Sequence, residues 1–200
     1  MTLMKRAMIS IVLGLTALLS SWYFVSPQFN HKTPETVIAT VLKPPKTLAP
    51  FELRDSNGNA FNQQSLRGHW TLLFFGYMGC PDICPKTLGM MRDTWNLYTP
   101  THPAPARFVF VSITPITEQD NKLHDFLANY HHSFIGVGGT VSEVKRLSDQ
   151  LGIYYQTRDG EHDHTASLML VDPHGRLSAV FTPPFIAQEI VKDLDALTNS

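Results

Sequence analysis

Apolar residues along the chain gather into short runs separated by polar stretches that carry proline, glycine and asparagine. WTLLFFGY (70–77) and RFVFVSI (107–113) are continuous apolar runs of strand length, the pattern of strands covered on both faces. FELRDSNGNAF (51–61) sets apolar residues on either side of SNGN, and SLMLVDPHGRLSAVFT (167–182) does the same around Asp172–Gly175, so both predict hairpins. FIGV (134–137) predicts a further short strand. Leu88, Met91, Trp95 and Tyr98 recur at helical spacing, which predicts a helix from near Pro85 to about Tyr98. Residues 118–130, 142–150 and about 187–197 predict three more helices.

The N-terminal part follows another pattern. Residues 7–25, AMISIVLGLTALLSSWYFV, contain no charged side chain and follow Lys5 and Arg6. The run is close to the ~20 residues a helix needs to cross a bilayer, and longer than the roughly 7–15 of a signal-peptide apolar region. A transmembrane anchor is therefore expected, in preference to a cleaved signal peptide that the same basic start would also fit. The positive-inside rule leaves residues 1–6 in the cytoplasm and the remaining chain outside, in the periplasm or an equivalent compartment. Residues 26–49, with four prolines and a short apolar stretch around Val37–Leu42, read as a tether. Residues 50–200 suffice for one ordinary globular core. Strands and helices alternate and then close with a hairpin and a helix, so the expected class is α/β with a thioredoxin-like fold.

Charge narrows the function little. Sixteen basic against seventeen acidic residues give a net charge of -1, so nothing in the overall balance recruits nucleic acid or an anionic surface. The chain holds two cysteines, and both fall in GYMGCPDICPKT, in the loop leaving the first buried strand and at the start of the next helix. Unpaired amide groups and the helix dipole at that position stabilise a thiolate. The pair can ionise, close into a disulfide or hold a soft metal. A purely stapling disulfide is a weak reading, because closing so short a loop constrains the unfolded chain little. Asp82, between the cysteines, stands where it can cap the helix.

LRGHWTLLFFGYMGCPDICPKTL resembles the signature of the Sco/SenC family, membrane-tethered thioredoxin-like proteins that help to insert copper into cytochrome c oxidase. The match to a strand ending in FFGYT followed by CPDxCP runs from Phe74 to Pro85, with Met78 at the threonine position. APFELRDSNGNAFNQQSLRG, SFIGVGGT and DHTASLMLVDPHGRL resemble further family segments, so the similarity spans about residues 48–197. The resemblance implies copper, Cu(I) or Cu(II), held by Cys80, Cys84 and His164. It implies as partner the copper-accepting subunit of an oxidase. Two thiolates and an imidazole suit copper, whereas a structural zinc site asks for a fourth protein ligand that His162 or another histidine would have to supply. Asp163, adjacent to His164, reads either as a partner that orients its ring or as a residue of a polar turn, and adjacency does not decide between them. One departure stands out: after RFVFVS the family continues V-D-P-x-x-D, whereas this chain reads ITPITEQD, with Thr114 at the first aspartate and Glu118 and Asp120 nearby.

Nine histidines require sorting. His164 fits the family's D-H-[ST] segment; His131 and His132 adjoin a helix end, where the dipole favours them. His31 lies in the tether, and His69, His102, His124 and His174 are expected at the surface. Met91 lies on an apolar helix stripe and reads as core. Met78 and Met90 also bring thioether sulfur near the pair; packing is the preferred reading, and a copper relay stays open for Met78, which replaces the family's threonine beside the first ligand. Two functions from different classes emerge. One is a copper metallochaperone; the other is a thiol–disulfide oxidoreductase in which Cys80 and Cys84 form the redox-active pair and keep an oxidase subunit reduced. A metal site needs His164, and thiol exchange does not. A peroxiredoxin is disfavoured, since Tyr77-Met78-Gly79-Cys80 lacks the threonine of T-x-x-C.

Overall fold

The computed structural model describes residues 36–102, 106–115, 121–158, 161–164 and 166–199; for residues 121, 156–158 and 161–164 the description is of the backbone alone. The strands are β1 (Ala39–Thr47), β2 (Glu52–Asp55), β3 (Ala60–Asn62), β4 (Thr71–Gly76), β5 (Arg107–Ser112), β6 (Ile135–Gly138), β7 (Tyr155–Arg158), β8 (Glu161–His164), β9 (Leu168–Val171) and β10 (Arg176–Phe181). The helices are α1 (Ile83–Tyr98), α2 (Asn121–Ala128), α3 (Val141–Leu151) and α4 (Ala187–Thr198), beside a single helical turn at Gln63–Leu66 and a 3-10 turn at Thr99–Thr101.

Eight strands form one mixed sheet in the order β1-β10-β9-β4-β5-β6-β2-β3, and β7 pairs with β8 in a separate hairpin. β4, β5 and β6 run parallel, while β9, β10 and β1 continue antiparallel on one side. Every residue of β4 is buried, as its unbroken apolar run requires. Alternate side chains serve opposite faces. Leu72 and Phe74 of β4, Phe108 and Phe110 of β5, and Leu168 and Leu170 of β9 join one core, which α1, α2 and α4 complete with Leu88, Met91, Leu123, Leu127, Ile190 and Leu194. Leu73, Phe75, Val109, Val111, Met169 and Val171 face the other core, closed by Val144, Leu147 and Leu151 of α3. A register shift between Leu177 and Ala179 lets β10 place these two residues in different cores despite their even spacing.

Both predicted hairpins, both buried strands and the four helices form at the expected places, with α1 beginning two residues earlier than Pro85. The tether expected over 26–49 needs correction, because residues 39–47 are β1, the edge strand paired with β10. An edge strand hydrogen-bonds along one side, so Pro44 and Pro45 fit at the register shift between Val41 and Lys46. The apolar run 7–25 lies outside the described residues; among the described residues no helix is long and apolar enough to cross a membrane.

A buried carboxylate fixes the start of β1. Asp193 on α4 has no solvent exposure and accepts hydrogen bonds from the backbone N–H groups of Val37, Ile38 (2.9 Å) and Ala39 (2.7 Å). Ala39 pairs with Phe181, Phe181 with Leu168, and Leu168 with Phe74, so the chain joins the sheet at the end where β4 runs out at Gly76.

Replacing Asp193 with alanine strips three donors of their acceptor. It is expected to lower stability by about 3 kcal/mol, given that a hydrogen bond to a charged group contributes roughly 1.5–3 kcal/mol. Urea unfolding of the full-length chain checks this as a lower midpoint at unchanged slope. A loss under about 1 kcal/mol would show that water or neighbouring groups replace the carboxylate.

Candidate metal centre

β4 ends at Gly76, and a turn closed by the Cys80 N–H donating to the Tyr77 carbonyl (3.3 Å) carries the chain into α1. Asp82 occupies the N-cap position, yet its side chain makes no capping hydrogen bond, contrary to the sequence expectation. Its carboxylate instead pairs with Lys86 one turn on, where exposure of both side chains leaves little net energy. The vacant capping role falls to sulfur: the Cys84 N–H donates to Cys80 Sγ at 3.4 Å. Both cysteines are free thiols, Cys80 8% exposed and Cys84 fully buried.

The two sulfurs differ in acidity for reasons the geometry supplies. Burial works to raise the Cys80 pKa, but hydrogen bonds from the backbone N–H groups of Cys84, Asp82 and Ile83 and from the Cys84 thiol outweigh it, and the net shift is downward. Cys84 is pushed up to about 12, chiefly by burial and further by donating to Cys80, against a hydrogen bond from the Tyr77 backbone. Tyr130, packed edge-on against Phe126 at 5.5 Å, is raised by burial and then by the charge of both sulfurs, which puts its hydroxyl within their electrostatic reach. Neither Tyr130 nor the Tyr77 amide stands out in the sequence, since contact across the fold and a backbone group leave no pattern there.

The structure thus brings Cys80 and Cys84 together. His164, the third expected ligand, has its backbone in β8 opposite Tyr155; its side chain, like those of His162 and Asp163, lies outside the described residues. Met91 is core, as expected, and Met78 packs partly buried against the cluster that contains both cysteines. Met90 Sδ accepts a hydrogen bond from the Thr94 hydroxyl at 3.4 Å. Thr114 Oγ1 hydrogen-bonds with Ser112 Oγ at 3.0 Å in the loop after β5, whereas Glu118 and Asp120 lie outside the described residues.

Two of the remaining histidines are packed, whereas His69, His124 and His174 are exposed, as expected. His131 Nδ1 accepts from the Ser133 N–H at 3.2 Å, and its ring stacks on His132 and lies 5.1 Å from Trp95, contacts more specific than the expected helix-dipole effect. Burial, then His132, lowers the His131 pKa. His102, expected at the surface, has a side chain only 15% exposed, stacked on Tyr98 and 3.1 Å from Asp195.

A mixed sheet flanked by helices, with a reduced dithiol at the N-terminus of the helix that follows its central strand, defines a thioredoxin-like dithiol domain. The SCO1/SenC family model matches residues 39–199, and the chain belongs to that family. It is 31% identical over 152 residues to a SCO2-like protein of Rickettsia prowazekii, covering 72% of this chain and 73% of that one. Copper-bound ScoI of Bradyrhizobium japonicum superposes with a TM-score of 0.65 at 29% identity, over 74% of this chain and 98% of that one. Copper-bound yeast Sco1 gives 0.70 at 26% identity, over 78% and 90%.

The acidities predict unequal reactivity. Iodoacetamide at neutral pH should label Cys80 well before Cys84, with the midpoint of the Cys80 rate profile below pH 9.0 and the Cys84 rate still climbing towards about pH 12. Because the Cys84 pKa is raised above the unfolded value, the stability contributed by its neutral thiol is complete below pH 9.0 and is lost as pH rises towards about 12. Mass spectrometry of timed alkylation checks the order; equal labelling of both cysteines would contradict it.

Proposed function

We propose that this protein is a copper metallochaperone that holds copper as cargo on Cys80, Cys84 and His164 and passes it to the copper site of a cytochrome c oxidase subunit. The observation that carries the reading is the reduced, buried pair whose sulfurs share hydrogen bonds at a helix N-terminus. Two juxtaposed thiols with little access to water are a soft donor set that suits Cu(I), and an imidazole adds the ligand Cu(II) favours. The family, and the copper held by the Bradyrhizobium japonicum and yeast proteins, point the same way.

Both cysteines must ionise to bind the metal, and Cys84 is protonated at neutral pH, so loading releases at least its proton and tightens as pH rises. Residues 7–25 anchor the chain in the inner membrane, with the domain on the periplasmic side or its equivalent. Lys5, Arg6 and the uncharged run after them support this placement.

A second reading, thiol–disulfide exchange with the cysteines of the same subunit, draws on the unequal acidities, which suit an attacking Cys80 and a buried resolving Cys84.

Copper titration of the reduced full-length protein is expected to give one ion per chain, and Cys80→Ala or Cys84→Ala to abolish binding. Full stoichiometry in either variant would place the ligands elsewhere. His164→Ala should weaken Cu(II) binding far more than Cu(I) binding and leave disulfide exchange nearly unchanged. Cells carrying only that variant should lack oxidase activity. Normal activity despite lost Cu(II) binding would favour the exchange reading. Protease treatment of spheroplasts checks the topology: a product found only in the soluble periplasmic fraction would show that residues 7–25 are removed.

A further inference from the structure

Gly76, the last residue of β4, has a backbone that does not call for glycine. It lies opposite Ser112 in the regular parallel pairing of β4 with β5, and the positive-φ glycines among the described residues are Gly58, Gly68, Gly152 and Gly175. What the position lacks is space. A Cβ built there would stand 2.8 Å from Cys84 Sγ, 2.9 Å from Phe110 Cε2 and 3.3 Å from Phe110 Cζ, inside the roughly 3.5–4.0 Å of favourable non-bonded contact.

Both neighbours are packed in the interior. Cys84 is fully buried near the start of α1, and the Phe110 ring is wedged between Phe74 and Phe126, each 5.9 Å away. The two other glycines near the site contrast with it. Gly79 meets nothing nearer than the Tyr77 ring at 3.7 Å, and Gly89 on α1 has nothing within 4 Å.

We propose that Gly76 is a positioning residue whose missing side chain forms the seat of the Cys84 sulfur. The floor of the seat is the end of β4, its wall is the Phe110 ring, and the Tyr77 N–H donates into it. Cys84 Sγ is thereby held inward while Cys80 Sγ, tied to it through the Cys84 N–H, remains the sulfur nearer to solvent. The inference rests on the reading of Cys80 and Cys84 as the working pair.

Two measurements on the full-length chain test it, and neither uses metal. The first is a double-mutant cycle of urea stability over Gly76→Ala and Cys84→Ala. If the sulfur is what the added methyl meets, Gly76→Ala should lower the unfolding midpoint in the parent protein, and at least half of that loss should vanish where residue 84 is alanine. A loss equal in both backgrounds would overturn the proposal.

The second secures a folded variant by also shortening the ring. Gly76→Ala/Phe110→Leu is compared with Phe110→Leu in a glutathione redox buffer, where two thiols lose two electrons and two protons as one glutathione disulfide becomes two glutathiones. Expelling the Cys84 sulfur from its seat should shift this equilibrium at least tenfold towards the protein disulfide, while Gly89→Ala should match the parent. Equal constants with and without Gly76→Ala would overturn the proposal. A parent protein that binds no copper would sink the copper reading alone, because the exchange equilibrium is independent of it.

Discussion

Strand β4 constrains everything around it. Its six residues are buried, and its backbone pairs with β5 on one side and β9 on the other, so neither face nor edge of the strand meets water. Such a strand needs a helical layer or its equivalent on each face, and the chain supplies α1, α2 and α4 on one and α3 on the other. The first place where main-chain polar groups emerge from this packing is the end of the strand. The cysteines stand there because a loop bounded by a buried strand and a helix N-terminus combines restricted water with unused N–H donors.

Sulfur in this loop does what an aspartate or serine side chain does at most helix starts. Cys80 accepts the Cys84 N–H, and Asp82, the residue of better capping chemistry, turns outward to Lys86. The arrangement stabilises charge on one sulfur while the other, buried deeper, keeps its proton, so two identical side chains acquire different chemistry from four residues of separation. A soft metal ion removes the difference, since it demands both as thiolates.

Legibility from the sequence followed the kind of interaction involved. Strands β4 and β5, the two hairpins and the helices could be read because burial writes itself as apolar period and turn residues at fixed offsets. The cysteine pair could be read because its spacing is local. β1 was missed because an edge strand with Lys43, Pro44 and Pro45 satisfies one row of hydrogen bonds and leaves almost no apolar alternation. Asp193 could not be assigned, since its three donors lie more than 150 residues away and reveal themselves only when α4 packs beside β1. His102 was misplaced for the same reason: its partner Asp195 comes from the far end of the chain.

The Asp193 clamp also has a mechanical meaning. β1 reaches the sheet at the end that carries Gly76 and the thiols, so any restraint transmitted through the residues before Thr36 is applied on that side of the domain. A pull directed outward along β1 loads its ladder with β10 in shear, all bonds together, instead of peeling them one at a time. The carboxylate at the first residues of the strand takes the load before the ladder does.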